Sequence, residues 1–162
     1  SQTEANAAAW QEGMRRLDIA LAKDRHYAFE TTLGGNTVPR RILDATRSHD
    51  VLVWFCGLSS PEQHLARIRA RVASGGHDIL EAKVRERWTA ARENLIALMP
   101  HLARLQVYDN STDVTAGEPI PDPLLVLEMR DGRCTWPVDL ASLGNTPDWA
   151  KPLVEAALSP GS

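Results

Sequence analysis

The chain has 162 residues, 43% of them apolar and 24% charged, which suits one globular domain with a sizeable core. Its formal net charge of −3 argues against general affinity for nucleic acid or an anionic membrane; these residues hold no apolar run of about 18, and a signal peptide is not expected. Its two cysteines, Cys56 and Cys134, have no metal or disulfide spacing, so a reducing cytoplasm is the expected compartment.

In chain order, Trp10, Met14, Leu17, Ile19 and Leu21 recur at near-helical spacing and predict a first helix over Glu4 to Lys23. Tyr27-Ala28-Phe29-Glu30-Thr31-Thr32 reads as a short strand closed by Leu33-Gly34-Gly35-Asn36. Pro39 suits the first turn of a helix running through Leu43 to Arg47. Val51 to Cys56 is an uninterrupted apolar run and predicts a strand buried on both faces of a parallel sheet. Ser59-Ser60-Pro61-Glu62 is a helix start, with a serine cap, proline at the first position and an acid in the first turn. That helix continues through Leu65, Ile68 and Val72 and stops at Gly75-Gly76. Val84, Trp88, Ala91, Leu95 and Leu98 form the stripe of a second helix from Leu80 to Leu98.

Leu105 to Tyr108 is a further strand. Residues Thr112 to Pro123 read as a loop. Leu124 to Met129 and Cys134 to Trp136 flank Arg130-Asp131-Gly132-Arg133 as a β-hairpin. The tail holds one helix start at Thr146-Pro147-Asp148-Trp149. This alternation predicts an α/β doubly wound domain.

The residues suited to chemistry fall into three groups. Glu30, Thr31 and Thr32 close the predicted strand, and in parallel sheets ligands bind beyond the carboxyl ends of strands. A carboxylate there can hold hydrated Mg²⁺ or accept a hydroxyl proton, while the threonines can bond phosphate or sugar oxygens. The bland alternative is a strand end whose polar residues only close a turn. Arg67, Arg71, Arg85 and Arg87 bracket Gly75-Gly76. An arginine fork makes paired, charge-assisted bonds to phosphate, and Arg71 and Arg87 can converge on one anion if the glycines fold the helices back to back. The alternative is a solvated face paired with Glu62, Glu81, Glu86 and Glu93. Asp109-Asn110-Ser111 follows a strand directly and is either a base- or substrate-binding loop or an Asx turn. His77 and Asp78 read as turn and capping residues.

Taken together, Tyr27 to Leu33, Gly57 to Glu62, Arg71-Val72 with Gly75 to Ile79, Arg87-Trp88, Asn94-Leu95 and Tyr108 to Ser111 resemble the zeta toxin-like P-loop kinases, in order and spacing, over Ala8 to Ser111. The resemblance implies a P-loop kinase-like parallel sheet flanked by helices, using ATP and Mg²⁺. It implies Glu30 beside metal and substrate with Thr31 and Thr32 close by, and Arg71 and Arg87 as phosphate-clamping arginines; Arg85, from the same arginine cluster, is a further substrate- or cofactor-binding candidate. Asp109 and Asn110 would lie near the nucleotide base. Zeta toxins proper phosphorylate UDP-N-acetylglucosamine, so a small-molecule or nucleotide-sugar substrate is expected. The family's first strand, its Walker A loop with lysine and the aspartate base that follows would lie upstream of Ser1, so the fold is expected to be incomplete at the N-terminus. No G-x-x-x-x-G-K-[ST] occurs in the chain, and phosphate transfer by these residues alone is expected to be weak or absent.

The expected organisation is a kinase-like core over 1–111, with a loop, hairpin and short helix over 112–162 packed on the same domain. The competing expectation is a non-catalytic nucleotide- or protein-binding module that forms a homodimer through an exposed sheet edge or apolar face. A nucleic-acid-binding domain is disfavoured by the acidic balance, and an antitoxin partner is not visible in the sequence.

Overall fold

The computed structural model describes residues 2–114 and 117–159. Helix α1 (Gln2–Ala22) leads through an extended segment into α2 (Thr37–Ala45), strand β1 (Leu52–Gly57), α3 (Pro61–Ala73) and α4 (Glu81–Leu98). A 3-10 turn at Met99–His101 precedes β2 (Arg104–Asp109). Then follow β3 (Leu124–Arg130), β4 (Arg133–Trp136), α5 (Leu140–Gly144), a second 3-10 turn at Asp148–Ala150 and α6 (Lys151–Leu158).

Local chemistry sets several of these boundaries. The Ser60 hydroxyl accepts from the Gln63 N–H and Pro61 opens α3, as a capped helix start requires. Asp139 caps α5 in the same way, accepting from the Ser142 N–H at 2.7 Å. The β3–β4 hairpin turns through Asp131 and Gly132, whose φ values of 48° and 71° are both positive. This is the left-handed pair that a two-residue hairpin loop needs.

The four strands form one mixed sheet in the order β1-β2-β3-β4. β1 and β2 are parallel, with Leu52 opposite Arg104 and Gly57 opposite Asp109. β3 pairs antiparallel with β2, and β4 antiparallel with β3. The doubly wound parallel sheet expected from the sequence is therefore corrected: one pair is parallel and the rest of the sheet is a meander. For β3 and β4 the reason is the hairpin, whose short turn permits only antiparallel pairing.

Two strand expectations are also corrected. Residues Tyr27 to Thr32 are extended but belong to no ladder, because β character needs a neighbouring strand to bond. Val51 to Cys56 does contain a strand, but not one buried on both faces. β1 is an edge strand with Leu52 47% and Trp54 63% exposed.

The core lies against one face of the sheet. Leu105 and Val107 of β2, Leu127 of β3, Leu95 of α4 and Leu153 of α6 are all fully buried. Trp149, 4% exposed, packs tilted against Phe55 and donates its indole N–H to Asp109 Oδ1 at 3.0 Å. Its ring occupies the space where a β-carbon on Gly57 would have to lie. The C-terminal segment thus seals the ends of β1 and β2 from below.

Two outcomes follow for stability. Gly57→Ala forces the Trp149 ring to move and is expected to cost on the order of 1–3 kcal/mol in urea unfolding; an unchanged midpoint would contradict this packing. The Arg104 guanidinium, assisted by Arg130, holds the Glu128 carboxyl below its ordinary value of 4.5. Its stabilising contribution is therefore complete above pH 4.5 and is lost as the pH falls from there through the folded-state value. Glu128→Gln is expected to flatten the stability profile in that acid window, and a profile as steep as the parent's would count against the pairing.

Candidate functional site

The extended segment between α1 and α2 is pinned from beneath by α4. Asn94 Nδ2 donates to the Leu33 carbonyl at 2.7 Å and to the Gly35 carbonyl at 3.1 Å. Leu33 is 5% exposed and plugs the main core, with its backbone held at φ 53°. A non-glycine residue in the left-handed region is strained, and such strain gathers at ligand sites. The Leu33 N–H bonds Thr31 Oγ1 at 3.1 Å and closes the turn. Gly34 lies directly on the Arg87 side chain, where a β-carbon would come within 2.7 Å of Arg87 Cβ. Only glycine permits this close approach of segment and helix.

A cleft of about 590 Å³ opens above that junction, between α1, the segment and the first turns of α4. Glu30, Thr31, Thr32 and Arg87 line it together, with Lys83 of α4 and the exposed ring of Trp10 from α1. Tyr27 and Phe29, stacked with ring centroids 5.7 Å apart, form part of the wall. The cleft combines the Glu30 carboxylate, the hydroxyls of Thr31, Thr32 and Thr37, the Arg87 fork, a Lys83–Glu86 ion pair of 2.7 Å and aromatic surface. This set can hold a polar molecule that carries hydroxyl and phosphate groups.

A second cleft, of about 770 Å³, lies beyond the carboxyl ends of the parallel pair, lined by Ser59, Gln63 and Arg67 on one side and Asn110, Thr112 and Asp113 on the other. Its loop is clamped. Gln63 Nε2 donates to the Ser111 carbonyl at 2.6 Å and to Asp113 Oδ1 at 3.0 Å, and Arg67 donates to the Thr112 carbonyl at 3.0 Å.

The remaining sequence-selected residues are engaged in the fold. Arg71 curls over its own helix end and donates to the His77 carbonyl at 3.2 Å, with its stem against Gly76. Arg85 bridges Glu62 at 2.6 Å and Glu81 at 2.7 Å, and this draws the Glu62 carboxyl below its usual range. Asp109 accepts from the Trp149 indole, the Ser111 N–H and the Ser111 hydroxyl. It is an anchor for the loop, while Asn110 faces the second cleft. The structure thus gathers Glu30, Thr31, Thr32 and Arg87, and sets Arg71, Arg85, Asp109 and Asn110 apart from them.

Asn94 and Gly34 shape the first cleft, although sequence reasoning gave neither a role of its own. The available signal was a polar residue, Asn94, beside the apolar stripe of α4. Among the described residues no group of three or more His, Cys, Asp and Glu side chains is placed to hold a metal ion, and no helix is long and apolar enough to cross a membrane.

Comparison with known proteins adds little to this geometry. No family profile and no solved structure matches the chain. Over 81 residues it is 33% identical to an uncharacterized protein of Haemophilus influenzae, a stretch covering 49% of this chain and 58% of that protein.

Proposed function

We propose that this chain carries the acceptor side of a phosphotransferase of the zeta toxin-like kinase lineage. The observation that supports this reading is the meeting of Glu30, Thr31, Thr32 and Arg87 in one cleft. These residues come from two elements more than fifty positions apart in the sequence, and the resemblance assigns all four, together with Arg71, to metal, substrate or phosphate.

In this reading the acceptor is a hydroxyl-bearing small molecule that already carries phosphate, such as a nucleotide sugar. Arg87 pairs with an existing phosphate through its planar fork. The threonine hydroxyls bond sugar oxygens. Glu30 accepts the proton of the attacking hydroxyl or a hydrogen bond from it. Asn94 and Gly34 act indirectly, by fixing the backbone that presents Glu30 and the threonines at a constant distance from Arg87.

ATP and Mg²⁺ are the groups that such a lineage uses. Mg²⁺ is commonly held by one or two carboxylates together with substrate phosphates, and Glu30 supplies one such carboxylate to the cleft. A triphosphate needs a cradle of backbone amides and a lysine. The G-x-x-x-x-G-K-[ST] pattern that forms it does not occur in these 162 residues. The residues present fit the acceptor and do not fit the triphosphate.

A second reading is a nucleotide- or protein-binding module without catalysis. The ion pairs of Arg85 and the curled Arg71 favour it, since both remove cations expected to serve a transferring phosphoryl group.

Calorimetric titration with UDP-N-acetylglucosamine tests the first reading. Saturable binding is expected, weakened about tenfold or more by Arg87→Ala, which is about 1.4 kcal/mol, and left unchanged by Arg85→Ala. Absence of binding, or equal loss in the two variants, would refute it.

A further inference from the structure

The outward face of the sheet carries a row of three arginines. The ladder sets Arg104 of β2 opposite Arg130 of β3, and Arg130 opposite Arg133 of β4. Residues directly opposite on antiparallel neighbours share a face, with Cα atoms about 5 Å apart. The three guanidinium groups therefore stand in line across three strands. Like charges directly opposite one another destabilise a sheet, so stability gives no reason for this row. One carboxylate answers it. Glu128, two residues along β3 from Arg130, accepts from Arg104 at 2.8 Å and from Arg130 at 3.4 Å. Arg133 is exposed and has no ion-pair partner among the described residues, and Arg104 Nε is buried without a hydrogen bond. Asp131, the other acid of the hairpin, lies in the turn and pairs with none of the three. The face thus keeps an excess of positive charge although the whole chain carries −3.

The next row of the same face carries Trp54 of β1 opposite Gln106 of β2. Trp54 is 63% exposed, and its indole N–H is already taken by Gln106 Oε1 at 2.7 Å. It therefore offers ring surface and no free donor. This ring stands two residues, about 7 Å, along the strands from the arginine row. One nucleotide spans a comparable distance from its phosphate to its base. Neither of the two clefts reaches this face. Small ligands are held in concave sites, whereas an open face with cations beside a bare ring suits an extended polymer.

We infer that this face binds single-stranded nucleic acid, with phosphates along Arg104, Arg130 and Arg133 and a base stacked on Trp54. A guanidinium fork meets a phosphate with two parallel, charge-assisted bonds. Every base has a π-face to lay on an indole, so the site tolerates sequence. A duplex keeps its base faces inside its own stack and cannot use Trp54. An acidic peptide pairs with the arginines but brings no ring for the indole. The acidic balance of the whole chain argues against general affinity and confines the contact to this row. The inference stands independently of what the two clefts bind.

The probe is a fluorescein-labelled oligouridine of about eight nucleotides, titrated with the full chain and followed by anisotropy. Saturable binding is expected, with a dissociation constant of about 10 to 100 µM. The association constant is expected to fall with added salt at a log–log slope of about −2, since each of three cations contributes about −0.7. Arg133→Ala is expected to weaken binding about threefold or more, and Trp54→Ala about tenfold, with Trp54→Phe restoring most of the loss. Arg16→Ala, which removes the same charge from α1, is expected to leave binding unchanged. No binding at millimolar chain in low salt would overturn the inference. So would parental affinity in Trp54→Ala, or an equal loss in Arg16→Ala and Arg133→Ala, because the contact would then be diffuse charge. Displacement of the oligonucleotide by anionic phospholipid vesicles or polyglutamate at matched charge would also overturn it, in favour of those partners.

Discussion

The parallel pairing of β1 with β2 is the constraint from which the rest of the structure follows. Two parallel neighbours cannot be joined by a tight turn, so the chain must leave one end of β1 and return to the other. Helices α3 and α4 make that return, folded back on each other at Gly75-Gly76. The return path places α4 against the buried face, where Leu95 and Leu98 join Leu105 and Val107 in the main core. The carboxyl ends of both strands are brought side by side, and Trp149 locks them by filling the space at Gly57 and bonding Asp109.

Helix α4 then does two jobs along its length. Its C-terminal half is core. Its N-terminal half packs Val84 against Leu65 and Ile68 of α3, and the segment that follows α1 lies along both halves. Asn94 and Arg87 are the points of contact, one through hydrogen bonds to carbonyls and the other through packing beneath Gly34. A ligand held by Glu30 and the threonines on one side and by Arg87 on the other would therefore be read by a rigid helix and a strained loop. The loop's geometry is fixed by that same helix. In the proposed reading, stability and recognition share residues here, with Asn94 fixing the backbone of the segment by its two hydrogen bonds.

Much of this was legible in the sequence where the signals are local. Ser60 and Pro61 announce α3, the spacing of Val84, Ala91, Leu95 and Leu98 announces α4, and Asp131-Gly132 announces the hairpin. What failed to be legible depends on distant neighbours. An apolar run such as Val51 to Cys56 has strand character whether it lies at the centre or the edge of a sheet, and nothing in it says which. Tyr27 to Thr32 has strand-like residues, but no strand lies alongside to bond. Arg85 finds Glu62 across 23 positions and Asp109 finds Trp149 across 40, and no local pattern could announce either partner. The juxtaposition of Glu30 with Arg87 was not legible in composition or spacing, which left each with an ordinary structural alternative and paired Arg87 with Arg71 instead.

The central claim is that the cleft between α1, the Glu30–Asn36 segment and the start of α4 is where this protein meets a phosphorylated ligand. Its most direct test is an amide and arginine side-chain chemical-shift map recorded during titration with UDP-N-acetylglucosamine. The account predicts that Thr31 to Asn36 and the Arg87 guanidinium shift together and saturate at one ligand concentration. Shifts confined to the Asn110–Val114 loop, or none at all, would contradict it.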